Sequence, residues 1–585
     1  MALKTLPAGM GAPQAQAPSY ILLAVEGATL DPPTVAAASA WMAENHLEIL
    51  DLVPGRAPCE TALYWADTLR LGDVARTRFE RGSSARYALM VSPGVWERAG
   101  IQVEAPLAPP ALDDLAARLK RFANKAFGHV VLPLCKAPIP SAKDLAASLR
   151  KPGGAGLPLF LCARIIVLAG LWLLVFARPW WAAAALLSYH LIPALALTGS
   201  KIRADDLPLQ IFCRSLYQIA RTIRLLAHWL DKTDTDREIA RLRTVYAELL
   251  AQHPEREREP RVESCPICSA QDLLSFLTAS DLAQGKPGYF SLEKCRACGH
   301  IFQNPRLNPR GLDFYYRDYY DGLGAQSSEQ WYAGMTNVYA SRAKSVRQVC
   351  QLSQPKTWLD VGLGQGHFCC FARDIFPETR FHGLDRSENV SLALRLGWID
   401  EAFCGQFTEF ARGHANHYDV VSLYQYLEHT PMPLEELNAA HTVLRPGGHL
   451  VIEIPNPEFR LSRVLGRFWI PWMQPQHLHF FSVDNLAKVL ADRGFVEVKR
   501  EFHEVHAPAD LLCSLGLILR RFAPLSPLPW RKESTPAWRL LNVAAWIAAL
   551  PLLLVATGLD HIAALKKTGK SSSNHYRLVA RKLER

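Results

Sequence analysis

Three glycines and two aspartates form the first group of residues whose types and spacing suggest chemistry. Gly362, Gly364 and Gly366 alternate directly after a largely apolar run that contains Asp360. A backbone without side chains lets a ligand approach closely, and the N–H groups that open a following helix bind its polar atoms. Asp385 lies 19 positions after Gly366, where a carboxylate can accept hydrogen bonds from both hydroxyls of a ribose. This spacing predicts a nucleotide-binding loop, although the glycines alone also fit an ordinary strand-to-helix turn.

Four cysteines suggest a second kind of chemistry. Cys265 and Cys268 form one CxxC pair, Cys295 and Cys298 form another, and 26 residues separate the two pairs. Tetrahedral zinc prefers soft thiolate ligands, which two such turns can supply. Because the sulfurs fill every coordination position, we predict a structural zinc and not a catalytic one. We expect the neighbouring His300 to lie at the surface.

A series of alternating strands and helices must position the glycine loop and the later acid. Apolar runs predict the strands, and PLEELNAAHTVL predicts a helix before a Pro446-Gly447-Gly448 break. The predicted strands are Trp358–Val361, Arg380–Asp385, Glu401–Cys404, Tyr418–Tyr424, His449–Ile454, Gly494–Glu501 and His575–Lys582.

DVGLGQG, the acid at Asp385, YQYLEH and LRPGGHLVIEIPNP resemble, in this order, the motifs of class I S-adenosylmethionine-dependent methyltransferases. The resemblance covers roughly residues 351–504 and the last strand. It implies a Rossmann-like sheet and S-adenosylmethionine bound by Asp360, Gly362, Gly364, Gly366 and Asp385. A dinucleotide-dependent dehydrogenase is the alternative, but it would lack the PGG strand and the Glu-His pair.

The cysteine region carries a second resemblance. CPIC, CRACGHIFQNPR and the following FYYRDYY are similar to the zinc-bearing N-terminal part of a methyltransferase group that includes sugar C-methyltransferases. The resemblance implies that Tyr319 and Tyr320, by position, and Tyr426, Glu428 and His429, by motif, surround the acceptor. The long C-terminal domain of the C-methylating members has no counterpart here, which argues against C-methylation.

Methyl transfer from a sulfonium is an in-line displacement, so the protein mainly aligns the reactants and excludes water. A hydroxyl acceptor also gains from a base of near-neutral pKa, which makes His429 a candidate base with Glu428 orienting it. The same pair could instead cap the following helix. His477 and His479 precede a later helix, and either is an alternative base.

The composition of the chain restricts its partners. The chain has 585 residues, 49% of them hydrophobic, and a net charge of +10. This charge suits anionic lipid, and the sequence has no basic stripe with interleaved aromatic residues, so we expect no nucleic-acid partner. The 13 cysteines, part of them in a metal pattern, indicate a reducing compartment.

Two apolar segments, Gly156–Phe176 and Trp180–Thr198, are each close to the ~20 residues that cross a bilayer. They predict a transmembrane hairpin within 156–198, although a buried hairpin of a globular domain is the alternative. Basic residues flank the hairpin on both sides, so we place both flanks in the cytoplasm. A third segment, Leu540–Leu559, would separate the last strand from its sheet if it crossed once. We therefore expect a helix, broken at Pro551, that lies on or dips into the leaflet.

The remaining segments are assigned as follows. Residues 1–19 are predicted to be disordered, without a secretory signal. Residues 20–150 have an α/β period and weakly resemble a family 2 glycosyltransferase domain, but Val25-Glu26-Gly27 replaces the metal-binding acidic triplet, so we predict a degenerate domain. An unrelated α/β scaffold is equally compatible. Residues 199–262 are predicted to be an amphipathic helix, which either lies on the anionic inner leaflet or packs on a neighbouring domain, followed by a charged, solvated spacer.

The sequence thus predicts an α/β protein with a seven-stranded methyltransferase sheet, preceded by a zinc ribbon, a transmembrane hairpin and a smaller N-terminal α/β domain. The ribbon spans 263–308, the methyltransferase domain 309–504 with 575–582, and a membrane-associated insertion 505–574. We expect a multi-pass protein of the inner (cytoplasmic) membrane with its catalytic domain in the cytoplasm. The expected reaction methylates a hydroxyl of a lipid-linked saccharide. The alternatives are a prenylated quinone or phenol precursor, a bifunctional glycosyltransferase, and a non-catalytic scaffold.

Overall fold

The computed structural model describes residues 20–59, 61–62, 86–101, 107, 109–123, 127–136, 170, 179–197, 202–209, 211–214, 216, 218–220, 234–319, 335–350, 354–502, 509–524, 528–532, 535–565 and 571–584. The chain divides into two compact units, Met1–Lys232 and Thr233–Arg585. Tyr320 and nearly all of the first predicted membrane segment, Gly156–Phe176, lie outside the described residues.

Unit 1 contains a small mixed sheet with the strand order β1-β3-β2-β4, and β5 pairs with β2. Strand β3 is antiparallel to β1 and β2, whereas β4 and β5 are parallel to β2. Its elements are β1 (Ile21–Ala24), α1 (Pro32–Glu44), β2 (Ile49–Ala57), β3 (Ala88–Val91), α2 (Pro93–Ala99), α3 (Pro109–Arg121), β4 (Phe127–Lys136), α4 (Pro179–Ala196) and β5 (Arg203–Ala204).

Val25-Glu26-Gly27, which replaces the acidic triplet in unit 1, lies just after β1. Glu26 is exposed, and Gly27 has a φ of +83° that favours glycine. Among the described residues of this unit, no three carboxylate, histidine or cysteine ligands gather around one point.

Unit 2 is built on a seven-stranded sheet with the order β11-β10-β9-β12-β13-β16-β15. Strands β9 to β13 are parallel, and β16 is antiparallel to both β13 and β15. The sheet strands are β9 (Thr357–Val361), β10 (Arg380–Asp385), β11 (Glu401–Cys404), β12 (Tyr418–Tyr424), β13 (Leu444–Pro455), β15 (Phe495–Glu501) and β16 (His575–Lys582). The predicted PGG break lies inside β13, where the pairing with β12 is irregular between Tyr418 and Val420.

Helices cover the sheet because its strands are apolar on both faces. The main core joins Leu359, Val421, Leu437, Leu450 and Leu578, all fully buried. The helices of unit 2 are α5 (Asp234–Ala251), α6 (Pro309–Tyr316), α7 (Thr336–Val349), α8 (His367–Ile375), α9 (Asn389–Arg395), α10 (Phe407–Phe410), α11 (Pro433–Val443), α12 (Arg460–Leu465), α13 (Val483–Ala491), α14 (Asp510–Phe522) and α15 (Pro536–Leu565). Short 3-10 turns lie at Pro254–Arg256, Ala411–Gly413, Leu427–His429, Gly466–Phe468 and Ile470–Trp472.

A second sheet contains the predicted ribbon. It has the order β14-β8-β7-β6, with β6 (Leu273–Ser280), β7 (Tyr289–Cys295), β8 (Ile301–Gln303) and β14 (His479–Phe480). The strand β14 comes from the methyltransferase region, because His479 pairs with Phe302 and Phe480 with Ile301. The ribbon is therefore joined by backbone pairing to the segment that carries the candidate histidines.

Two expectations about helices are wrong. The spacer prediction fails for α5, because Tyr246 on this helix is fully buried against Phe290, Phe314 and Tyr315. The predicted break at Pro551 is also absent, because α15 continues through this residue from Pro536 to Leu565. A proline lacks only one backbone donor, and a long apolar helix can tolerate that loss in its middle.

Among the described residues, one helix is long and apolar enough to cross a membrane, over Ala537–Ala563, and its most apolar window has a mean hydropathy of 2.1. A shorter apolar stretch, Ala183–Leu195, lies in α4 and exposes Leu187 and Leu195.

Candidate active site

The glycine loop forms the turn between β9 and α8. Gly362, Gly364 and Gly366 have φ values of +71°, +58° and +80°, which other residues rarely adopt. A Cβ at Gly362 would lie 2.5 Å from Cδ2 of Tyr426, so the tyrosine ring packs on the loop. A Cβ at Gly364 would have no atom within 4 Å, so the loop backbone is open at this position.

Asp385 ends the neighbouring strand β10 and faces the glycine loop. Its Oδ2 accepts a hydrogen bond from the backbone N–H of Gly364 at 2.8 Å, and its Oδ1 accepts one from the backbone N–H of Ser387 at 2.9 Å. Each carboxylate oxygen can accept a further bond. The predicted acid and the predicted loop are therefore in direct contact.

Asp360 lies deeper than predicted for a ligand-binding residue. Its side chain is buried, and it accepts hydrogen bonds from Oγ of Ser422 at 2.5 Å and Sγ of Cys369 at 3.8 Å. Burial raises the pKa of Asp360 to about 7, although the hydrogen bond from Ser422 and the charge of Arg342 lower it. These contacts connect β9 to β12 and α8 and so stabilise the glycine turn between β9 and α8.

S-adenosylmethionine fits the residues around this turn. The loop opens α8, which presents backbone N–H groups, and the carboxylate of Asp385 suits a ribose. The Oε1 atom of Gln365, inside the loop, is buried and has no protein donor. An unpaired buried acceptor costs about 1–3 kcal/mol, which a ligand donor would offset.

The motif YQYLEH begins where β12 ends. Its residue Gln425 has a φ of +53°, a conformation that costs of the order of 1 kcal/mol outside glycine. Tyr426 lies over Gly362, and its hydroxyl donates to Oε2 of Glu436 at 3.0 Å. Burial raises the pKa of Glu436 to about 7. One short segment thus extends from the glycine loop to the 3-10 turn that carries His429.

His429 has two partners that sequence reasoning did not identify. Its Nδ1 lies 3.2 Å from the carbonyl oxygen of Gln476 and 3.0 Å from the hydroxyl of Tyr316. In the tautomer that carries the proton on Nδ1, this atom donates to the carbonyl and Nε2 keeps its lone pair, whereas in the other tautomer the Tyr316 hydroxyl donates to Nδ1. Burial lowers the pKa of His429 to about 4, so the ring is neutral at pH 7.

Glu428 does not orient His429 as predicted. The Glu428 side chain is fully buried, and neither of its carboxylate oxygens has a hydrogen-bond donor. Burial raises its pKa to about 8, so the carboxyl is largely protonated at pH 7. The carbonyl of Gln476 fixes the imidazole instead. Ligand atoms of Glu428, His429 and His477 lie within 4.8 Å of one another, close enough to coordinate one cation.

The two alternative bases have different surroundings. The His477 ring packs edge-on against that of His429 with 4.5 Å between centroids, and its Nδ1 lies 2.7 Å from the carbonyl oxygen of Pro471. His479 instead contacts the ribbon, where its Nδ1 lies 3.0 Å from Nε2 of His300. His300 is fully buried, so its expected surface position is wrong. The His300 ring contacts the rings of Phe302 and Phe481. Its hydrogen-bond partner, His479, lies 179 positions later in the chain.

Of the predicted acceptor tyrosines, Tyr319 lies near the site, with its hydroxyl 3.8 Å from Sδ of Met473. Within FYYRDYY, Tyr316 is the residue whose hydroxyl contacts His429. The tyrosine run was recognised from the sequence, but only the fold of α6 selects the tyrosine that points inward.

The four predicted cysteines come together at one end of the ribbon. Sγ of Cys265 lies 3.6 Å from that of Cys298, Sγ of Cys268 lies 3.6 Å from that of Cys295, and all four atoms lie within 4.8 Å of one another. Thiolates at ~2.3 Å from a tetrahedral zinc are separated by roughly 3.8 Å. The donor set therefore fits zinc, and the sulfurs are too far apart for disulfides.

Comparison with known proteins agrees with this geometry. A family model described as a methyltransferase domain matches residues 339–499. The ubiquinone biosynthesis O-methyltransferase of Aromatoleum aromaticum is 36% identical over 174 residues, which cover 28% of this chain and 72% of that protein. The protein of the same name from Saccharophagus degradans is 28% identical over 165 residues, which cover 26% of this chain and 68% of that protein.

Among solved structures, the 1,6-didemethyltoxoflavin-N1-methyltransferase of Burkholderia thailandensis is 14% identical, and the match covers 53% of this chain and 100% of that one with a TM-score of 0.29. The chain covers more than two thirds of the Aromatoleum relative at 36% identity, which is enough to assign the family. The chain belongs to the S-adenosylmethionine-dependent methyltransferases.

Proposed function

We propose that the chain transfers a methyl group from S-adenosylmethionine to a hydroxyl of a membrane-borne acceptor, next to His429. The contact of Tyr426 with Gly362 carries this proposal, because it sets the candidate base one turn away from the cofactor loop. The relatives named O-methyltransferases support transfer to oxygen.

Bound S-adenosylmethionine supplies an electrophilic methyl group. The residues of this chain then align the acceptor hydroxyl and receive its proton on Nε2 of His429. The hydrogen bond from Nδ1 to Gln476 holds this tautomer. A pKa of about 4 makes His429 a weak base, so we expect the proton to move late, when the forming C–O bond has already made the hydroxyl acidic.

An aromatic cavity supports an acceptor with an apolar part. It has a volume of about 70 Å³ and is lined by residues that include Tyr319, Trp469, Trp472, Met473 and Leu517. The same loop continues to His477, whose ring packs on His429. We propose that the apolar tail of the acceptor enters beside this loop.

Two acceptors satisfy these requirements. A lipid-linked saccharide is supported by the resemblance of the ribbon to the sugar methyltransferase group. A prenylated phenol or quinone precursor is supported by the ubiquinone biosynthesis relatives. A bifunctional enzyme would add sugar transfer in unit 1, and that activity would survive Asp360→Ala.

Transfer of labelled methyl into membrane extracts distinguishes these acceptors. The full chain in native membranes is supplied with labelled S-adenosylmethionine, and lipid-linked glycans are separated from prenylated phenols. We expect label in one fraction, its loss in His429→Ala, and its retention in His417→Ala, a control because His417 is exposed. Label in water-soluble products alone would overturn the membrane-borne acceptor.

We also propose that the chain is anchored in the inner membrane through the segments within 156–198, with unit 2 in the cytoplasm. The exposed Trp180 and Trp181 at the start of α4 support an interfacial position. Protease added to sealed, inside-out vesicles should digest unit 2. Protection of unit 2 in these vesicles would contradict this orientation.

A further inference from the structure

The helical pair formed by α14 and α15, called here the C-terminal helical pair, exposes a broad apolar face. Buried residues of α15 recur on one stripe, at Asn542, Trp546, Leu553, Ala556 and Asp560. The exposed large side chains of this helix are apolar except for His561: Trp538, Leu541, Leu552, Leu554, Val555, Leu559 and Ile562. An exposed apolar surface of this kind marks a docking site for a partner or a membrane.

The polar atoms of the buried stripe satisfy both ends of α14. At its N-terminus, the carboxylate of Asp560 accepts hydrogen bonds from the backbone N–H groups of Leu511 and Leu512 at 3.1 and 3.0 Å. At its C-terminus, Nε1 of Trp546 and Nδ2 of Asn542 donate to the carbonyl oxygens of Ala523 and Pro524, each at 2.8 Å. Helix ends normally rely on water or caps for these groups. Their internal satisfaction suits a water-poor environment.

The N-terminal part of α14 is held against the rest of unit 2. Its Asp510 accepts hydrogen bonds from Trp469 and Asn574, and its Ser514 donates to the carbonyl oxygen of Phe468. Because α15 runs alongside α14 from Trp546 to Asp560, over about 21 Å, it lies along the surface of the unit. A crossing by α15 would pull irregular backbone near Phe468 into the hydrocarbon, where lipid-exposed loops do not occur.

The charges around the C-terminal helical pair match one kind of surface. Eight of the nine charged residues in 460–467 and 520–539 are basic, the exception being Glu533, and most of these basic residues are exposed. They are Arg460, Arg463, Arg467, Arg520, Arg521, Arg531, Lys532 and Arg539. An apolar helix face with flanking arginines and lysines is typical of binding to anionic lipid.

We propose that the C-terminal helical pair is an in-plane membrane anchor, which inserts the apolar face of α15 into the headgroup region of an anionic bilayer without crossing it. Leu517 of α14 also lines the aromatic cavity, so this anchor would set the cavity at the bilayer surface. The inference does not depend on the identity of the acceptor.

Depth-dependent quenching tests the anchor. The full chain, carrying a fluorescent amino acid at position 554, is reconstituted in vesicles of phosphatidylglycerol and phosphatidylcholine. Nitroxide labels sit either near the headgroup or near the end of the acyl chain. We expect strong quenching by the shallow label, weak quenching by the deep one, and no quenching of a probe at the exposed position 498 of β15. A charge-reversed Arg520→Glu/Arg521→Glu chain should lose part of the shallow quenching, and Arg581→Glu should not.

Two results would overturn the proposal. Stronger quenching by the deep label would show that α15 crosses the bilayer. The absence of quenching by either label would assign the apolar face to another occupant, such as a second copy of the chain. Retained binding of S-adenosylhomocysteine verifies in each case that unit 2 is folded, so a failure of the anchor is distinguishable from a failure of the enzyme.

Discussion

At the scale of single residues, the site combines groups that are neutral because they are buried. His429 has a lowered pKa, and Glu428 has a raised one, so neither carries a full charge at pH 7. A neutral imidazole can receive a proton from an acceptor hydroxyl. A neutral carboxyl nearby avoids trapping that proton as an ion pair.

The base assignment predicts a specific kinetic loss. We expect His429→Ala to lower kcat by about 10²- to 10⁴-fold, the usual contribution of a positioned base. The Kd for S-adenosylhomocysteine should stay nearly constant, because His429 lies outside the glycine loop. Tyr316→Phe removes only the hydroxyl next to Nδ1 and should have a smaller effect. A kcat of His429→Ala within about twofold of the unmutated chain would exclude this role.

Asp360 predicts a dependence of stability on pH. Its folded pKa of about 7 lies above its unfolded value, so its stabilising contribution is present below pH 4 and is lost as the pH rises through 7. Asp360→Asn removes this dependence. Between pH 5 and pH 8 the variant should gain about 2 kcal/mol relative to the unmutated chain.

Melting temperatures of both proteins at pH 5 and pH 8 test this expectation. The difference in Tm should widen in favour of Asp360→Asn at the higher pH. Asp484→Asn is a matched control, because Asp484 is largely exposed. A difference that is equal at both pH values would mean that Asp360 is already ionised in the folded protein.

At the scale of elements, the ribbon supports the segment that carries His429. Strand β8 pairs with β14, and the backbone N–H of Leu478 donates to the carbonyl oxygen of Glu428 at 2.7 Å. The ring contact between His300 and His479 adds to this connection. The ribbon is therefore connected to the 3-10 turn of His429 by the pairing of β8 with β14 and by the hydrogen bond between Leu478 and Glu428.

Removal of the metal should have different effects on methyl transfer and on cofactor binding. A chelator that strips zinc from the four cysteines should abolish most methyl transfer, because β14 loses its support. Binding of S-adenosylhomocysteine should persist, because β9 and β10 of the main sheet carry that site. Added zinc should restore turnover. Full activity in a protein shown by elemental analysis to contain no metal would contradict a structural zinc.

Sequence reasoning located these elements well where buried strands are continuous apolar runs. The bounds of β10, β11, β12 and β16 equal those expected. It failed for His300 and Gln476, because their partners lie 179 and 47 positions away in the chain. It also failed for α5, whose many charges mask the apolar stripe that carries Tyr246. The local sequence pattern shows which segments have the period of a strand or a helix. The contacts of His300, Gln476 and Tyr246 instead depend on how elements that are distant in the chain pack together.

At the scale of the whole molecule, a buried ion network holds the last strand, β16, in the main sheet after the C-terminal helical pair. Glu453 of β13 accepts hydrogen bonds from Arg342 of α7 and from Arg577 of β16. Arg577 also pairs with Glu501 of β15 at 2.9 Å. The network joins segments that are more than 230 residues apart, from Arg342 to Arg577.

Glu453→Gln should leave two buried guanidinium groups without their shared partner. The loss of one partner of such a pair costs about 3–5 kcal/mol, so we expect a clear fall in Tm. Glu497→Gln is the control, because it removes a partly exposed pair with Arg500 and should cost at most about 1 kcal/mol. Equal effects of the two changes would mean that the network is not a stabilising centre.

The central claim is that the open glycine loop and Asp385 bind S-adenosylmethionine. Titration calorimetry of the full chain with S-adenosylmethionine tests it most directly, with Asp385→Ala beside Asp400→Ala, which changes the acid that precedes the next strand. We predict one site per chain, a loss of affinity of about tenfold to a hundredfold in Asp385→Ala, and little change in Asp400→Ala. No binding heat in the unmutated chain, or equal affinity in Asp385→Ala, would contradict the account.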